Sequence, residues 1–253
     1  MSVALAVETL LKRERLVVLT GVVIVAALAW LYLIELAAAD MADMMALKPW
    51  TLTDGALMFV MWAVMMLAMM LPSAAPMILL YALVWRKQRI EGSAYAPTGA
   101  FAAGYVAVWA AFSLLATALQ WGLEHVALLS PTMVATSSLL GAAILIAAGG
   151  YQWTPYKHAC LSRCRSPIHF LSRHWRSSTG GAFVMGVEHG AYCLGCCWAL
   201  MALLFVGGVM NLLWIAAIAF FVLIEKLLPH GNLLGRAGGL TMIGAGIAII
   251  LAL

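Results

Sequence analysis

Charge is what this sequence has least of. Of its 253 residues only 9% are Asp, Glu, Lys or Arg, where a soluble domain carries about 25%. That scarcity excludes a soluble globular enzyme, a disordered chain and a nucleic-acid-binding domain. No polar stretch is long enough to be an inserted soluble domain. Gly-x-Ser-x-Gly, His-Glu-x-x-His and a phosphate-binding glycine loop are all missing, so no hydrolase or nucleotide site and no catalytic residue is assigned. No internal repeat of fixed period argues for an inverted-repeat transporter. Cysteine is also sparse, at five residues.

What is there is apolar. The hydrophobic fraction is 65% and the mean hydropathy is +1.02. The expected fold is all-α, a polytopic transmembrane bundle forming one domain over residues 1–253. Seven continuous apolar stretches lie near 16–36, 57–84, 98–122, 132–150, 182–207, 209–228 and 237–253. Their continuity argues against a β-barrel, whose strands alternate. The second is long enough to need a kink, which Pro72 and Pro76 can supply. The first resembles a signal peptide but has too long an apolar core, and is read as a retained helix.

The basic residues set an orientation. Lys12, Arg13 and Arg15, then Arg86, Lys87 and Arg89, then Lys157, Arg163, Arg165, Arg173 and Arg176, and finally Lys226 and Arg236 fall on one side of a seven-span chain. Only Lys48 falls on the other. The positive-inside rule then predicts a cytoplasmic N-terminus and an external C-terminus. The segment 151–181 becomes a cytoplasmic loop.

Three groups of residues carry chemistry. In span five, His189, Cys193 and Cys197 are spaced by four and Cys193 and Cys196 by three, which puts them on one helix face. Glu188 precedes them, and ionisable residues within a span are expensive. In the loop, His158, Cys160 and Cys164 have zinc-type spacing, and the flanking arginines are expected to lower the thiol pKa values. Methionine is the third: ten of sixteen lie between Met41 and Met77. Asp40, Met41, Asp43 and Met44 sit in an outer loop, and Met58, Met61, Met65 and Met69 follow down span two at helical spacing. Thiolate, thioether and imidazole are ligands of a soft ion, copper before zinc. Packing is the competing explanation for the helical methionines.

Other features have ordinary readings. Asn211 is expected to cap a helix. Glu225 and Lys226 read as a salt-bridged helix end. Gly104, Gly141, Gly244 and Gly246 suit close helix packing. Trp50, Trp62, Trp85, Trp109, Trp121 and Trp153 suit interface anchors.

Several runs resemble a bacterial family described as a predicted metal-binding integral membrane protein, domain of unknown function 2182. They are Tyr151 to Pro167, Gly190 to Met201, Gly208 to Asn211, Glu225-Lys226 with Pro229 and Gly231, and Met61-Trp62 with Ala68 to Ser73 and Pro76. The resemblance spans roughly residues 57–231 and leaves out the first span and the Asp/Met loop. It implies metal binding, with Cys160, Cys164, Cys193, Cys196 and Cys197 as functional positions, but no substrate or mechanism.

The favoured expectation is a multi-pass protein of the bacterial inner membrane that binds copper for transport, handling or delivery, with the lipid bilayer and a metallochaperone or larger membrane complex as partners. One alternative is a thiol–disulfide oxidoreductase using Cys193-x-x-Cys196. Another is a non-catalytic subunit of a larger complex, in which His189 or His125 could ligate haem.

Overall fold

A computed structural model describes residues 3–38, 50–88, 95–130 and 133–253. Asp40, Met41, Asp43 and Met44 lie outside the described residues. The described chain is helical, and its one β-type pairing is an isolated bridge between Leu129 and Ala135.

Among the described residues ten helices follow in order: α1 (Val3–Ala38), α2 (Leu52–Gln88), α3 (Tyr95–His125), α4 (Ser138–Tyr151), α5 (Pro155–Arg165), α6 (Pro167–His174), α7 (Thr179–Ala202), α8 (Leu204–Gly207), α9 (Leu212–Leu227) and α10 (Gly231–Leu251). Each expected span coincides with a helix over most of its length. Among the described residues, five helices are long and apolar enough to cross a bilayer: α1, α2, α3, α7 continued through α8, and α10. The 14 residues of α4 and 16 of α9 reach only about 21 and 24 Å at 1.5 Å per residue, short of a core of about 30 Å. In the fourth stretch, residues 133–137 belong to a folded connection instead of to the helix.

Local sequence explains the breaks. Ser137, Thr154, Ser178 and Asn211 each accept a backbone N–H as N-caps, of α4, α5, α7 and α9. Pro155 and Pro167 open α5 and α6, where a missing N–H costs nothing. Pro72 and Pro76 lie inside α2, which runs through them without a break.

The segment 151–181 is not a free loop. Its helices α5 and α6 fold back onto the bundle, α5 against α7 and α6 against α2. Lys157, Leu161, Phe170 and Leu171 are buried there. The α3–α7 seam is the most extensive. It is tight because Gly104 and Gly186 have no side chain: a Cβ on either would lie 2.1 Å from the Phe183 carbonyl oxygen or 2.0 Å from that of Phe101. Gly246 makes a similar approach to α4, whereas Gly141 and Gly244 face open space and mark no contact.

Three of the tryptophans expected at interfaces are instead core residues: Trp62, Trp85 and Trp109 are buried. Trp121 and Trp153 are exposed. Large apolar side chains are exposed along α1, α3 and α10, among them Leu28, Leu31, Leu114, Leu115 and Leu240.

Candidate metal centre

The five cysteines are free, and α5 brings its pair to those of α7. Cys193, Cys196 and Cys197 are buried near the middle of α7. The Cys164 thiol has those of Cys193 and Cys196 as its polar partners. The Cys160 sulfur lies against the bare face of Gly195, where a Cβ would be 2.7 Å away. Tyr151 donates to the Gly195 carbonyl at 2.5 Å and secures the same turn. The loop and helix cysteines therefore form one cluster.

Around it stand residues from three further helices. Lys226 of α9 donates to Cys193 Sγ at 2.9 Å and to Ser73 Oγ at 3.0 Å. The Tyr105 hydroxyl of α3 lies 3.0 Å from Cys193 Sγ and 3.1 Å from the Met70 carbonyl oxygen. Met70 Sδ of α2 is 3.9 Å from Cys197 Sγ. Ser73 also donates to the Met70 carbonyl, at 2.8 Å, within the turn that holds the two prolines. The thiols of Cys196 and Cys197 donate to the Cys193 carbonyl at 3.0 and 2.9 Å, as intrahelical bonds.

Among the described residues, no three His, Cys, Asp or Glu side chains are already arranged as a metal cage. The reason is visible in the bonds. An ammonium sits on Cys193, and two thiols are turned onto backbone. Rotation of those thiols and retreat of Lys226 onto Ser73 would free a soft donor set.

His189 lies one turn below Cys193. It is buried among Phe101, Tyr105 and Phe170, with its Nδ1 unpartnered. An unpaired buried imidazole nitrogen is costly and suits a ligand. The Phe170 ring separates His189 from a basic surface pocket lined by Arg163, His169, Arg173 and His174.

Other expected ligands lie apart. Glu188 pairs with Arg176 at 3.1 Å on a partly exposed face. His158 faces Asn232 and Arg236 of α10, and burial together with Arg236 and Lys157 lowers its pKa. His125 ends α3, exposed and stacked on Trp121. Met61, Met65 and Met69 are buried in the core of α2, as packing and ligation both require.

The expected lowering of the loop thiol pKa values is reversed. Burial and the neighbouring Cys196 raise Cys160, and the opposing pull of Arg163 does not offset them. Hydrogen bonding to Cys193 and Cys196, with burial, raises Cys164 well above the usual range. Arg165, the other flanking arginine, points its guanidinium at the Leu228 and Pro229 carbonyls.

Glu225 and Lys226 do not pair with each other. Glu225 accepts from the buried Lys157 at 2.5 Å, and its carboxylate fits against Gly235, where a Cβ would be 2.2 Å from Oε1. Lys157 also donates to Gln152. This pair fastens α5 to α9. Two adjacent charges at the end of an apolar helix were the available sequence signal. Tyr105 and Ser73 had none.

A family model for PpoB2, a copper chaperone, matches residues 59–249. That is about three quarters of the chain, and the chain belongs to this family. No curated protein and no solved structure matches it.

Proposed function

From its membership of a copper chaperone family, we propose that this chain is an integral membrane protein that holds copper as Cu(I) for delivery or transport. The observation that carries the reading is the meeting of α5 and α7 cysteines with the Met70 thioether and Lys226. Thiolate and thioether are soft donors, and of the biological ions Cu(I) suits them best. Zinc fits the cysteines but has little use for Met70.

Lys226 gives the centre two states. Without copper its ammonium sits where positive charge is wanted. When copper arrives, the ion's own charge takes that role, and Ser73 keeps the ammonium in a hydrogen bond. Tyr105 and Ser73 act as positioning residues through Cys193 and Met70. His189 is the next donor along α7, toward the basic pocket. Met61, Met65 and Met69 of α2 continue the soft path away from the thiols.

Five helices of crossing length and the apolar side chains they expose support membrane integration. A cytoplasmic N-terminus follows from the distribution of Lys and Arg when the short helices α4 and α9 also cross, as seven spans require, and free thiols then suit the reducing side. In this reading the two family descriptions, a metal-binding membrane protein and a copper chaperone, meet.

The test is metal content by mass spectrometry on protein purified without added metal, beside a variant with Cys193, Cys196 and Cys197 all changed to Ser. The expected result is a fall of about one copper per chain in the variant. Equal copper in both proteins, or zinc in place of copper, would overturn the reading.

A further inference from the structure

A second sulfur-lined site lies at the other end of α2 and α3. Met58 is 12 residues before Met70 on α2, and Gln120 is 15 residues after Tyr105 on α3. At 1.5 Å per residue these separations are about 18 and 22 Å. The two ends are therefore distinct places.

At this end the Gln120 side chain is fully buried. Its Oε1 accepts from Trp62 Nε1 at 2.7 Å, which fixes the orientation of the amide. Its Nε2 then faces three acceptors: Glu124 Oε1 at 2.8 Å, Met133 Sδ at 3.3 Å and Met58 Sδ at 3.6 Å. An amide nitrogen has two hydrogens, so one acceptor is always left without a proton. The spot is richer in electron pairs than a neutral NH₂ can satisfy.

Met133 is delivered there at a conformational cost. Its φ is 54°, in the left-handed region that side chains seldom adopt. The connection holding it is pinned by the Leu129–Ala135 bridge and by Ala135 donating to the Phe205 carbonyl at 2.8 Å. Strained backbone over-determined by its surroundings is a mark of functional placement. Trp50 donates to the other carboxylate oxygen of Glu124 at 2.8 Å and steadies it.

We propose that Met58, Met133 and Glu124 form a second binding site, selective for a soft monovalent cation, with Gln120 as its displaceable occupant. Two neutral thioethers prefer Cu(I) or Ag(I) to harder ions. One carboxylate neutralises one positive charge, whereas a divalent ion would leave net charge in an apolar bundle. No thiol is involved, so this site cannot be closed by disulfide formation. The identity of the cargo rests on the copper reading above; the site itself does not need the cysteine centre.

The experiment uses the full chain in lipid nanodiscs and anaerobic Cu(I) titration against a chromogenic chelator. Four proteins are compared: wild type, the triple Cys→Ser variant, Met58→Leu/Met133→Leu, and the combination. Met→Leu conserves volume and is well tolerated in cores. Two copper ions are expected in wild type, one in each partial variant and none in the combination. A triple Cys→Ser protein that binds none, or whose copper persists after Met58 and Met133 are changed, overturns this site. Equal copper in wild type and the triple Cys→Ser protein overturns the cysteine reading while leaving this one standing. Copper K-edge absorption on the triple Cys→Ser protein needs no methionine variant. Sulfur and oxygen neighbours are expected, and a shell without sulfur overturns the proposal.

Discussion

At one end of the bundle thiols outnumber a single thioether, Met70; at the other the sulfur is thioether alone. The thiol end gathers five cysteines under a lysine ammonium. The thioether end gathers Met58 and Met133 beside a carboxylate. The charges are arranged oppositely because the donors differ. A thiolate brings its own negative charge and needs a cation when empty. A thioether brings none and needs a carboxylate when full. Sulfur oxidation separates them further, since only the thiols can form disulfides.

Four changes would break or sharpen this contrast. The largest effect is expected from Glu225→Ala. It strands Lys157 as a buried, unpaired charge, at a cost of about 3–5 kcal/mol. Unfolding in nanodiscs would show the loss. Cys160 and Cys164 should become readily labelled as α5 detaches, while copper at Met58 and Met133 is retained. Equal labelling of variant and wild type would mean that the ion pair does not hold α5.

Tyr105→Phe comes next. It removes the hydroxyl beside Cys193 without touching a ligand. Loss of such a supporting group weakens metal affinity about 10–100-fold. Chelator competition on the triple-thiol site should show this, with the thioether site unchanged.

The third is pH. Cys160 and Cys164 are raised, so they hold protons at neutral pH that copper must displace. Affinity at the thiol end should therefore rise with pH, by up to about tenfold per unit for each proton released. Thioethers carry no proton, so the other end should be nearly flat between pH 6 and 8. Parallel curves at both ends would refute the contrast.

The smallest is Trp50→Phe. It deletes one hydrogen bond to Glu124, worth about 0.5–1.5 kcal/mol. The fall in affinity should be confined to the thioether end in the same titration.

How much of this could be read from the sequence divides along the same line. The α7 cysteines were legible because a three- and four-residue spacing places them on one helix face. The seven helices were legible from apolar runs, but not the shortness of α4 and α9, since caps and turns set those ends. That α5 returns to the α7 cysteines was not legible. It rests on contacts between distant residues, among them Tyr151 with Gly195, Arg163 with Tyr192 and Lys157 with Glu225. Spacing did find the methionines of α2, but Met133 stands alone in a connection, and Gln120 is a single amide in an apolar helix. Their meeting is a tertiary event. The tryptophans misled for a related reason: Trp62 sits in an apolar run like an anchor, but its N–H is spent on Gln120 inside the bundle.

The Lys157–Glu225 pair also sets an order of assembly. Glu225 is made 68 residues after Lys157, and Lys226 is made 33 residues after Cys193. At about 5–20 residues per second of synthesis, α5 waits roughly 3–14 seconds for the helix that fastens it. Until α9 arrives, Cys193 lacks its ammonium and Lys157 of α5 lacks its carboxylate. The centre is thus completed late, by a helix that contributes no sulfur. A nascent chain interrupted before α9 carries all five cysteines but neither the carboxylate that neutralises Lys157 nor the ammonium beside Cys193.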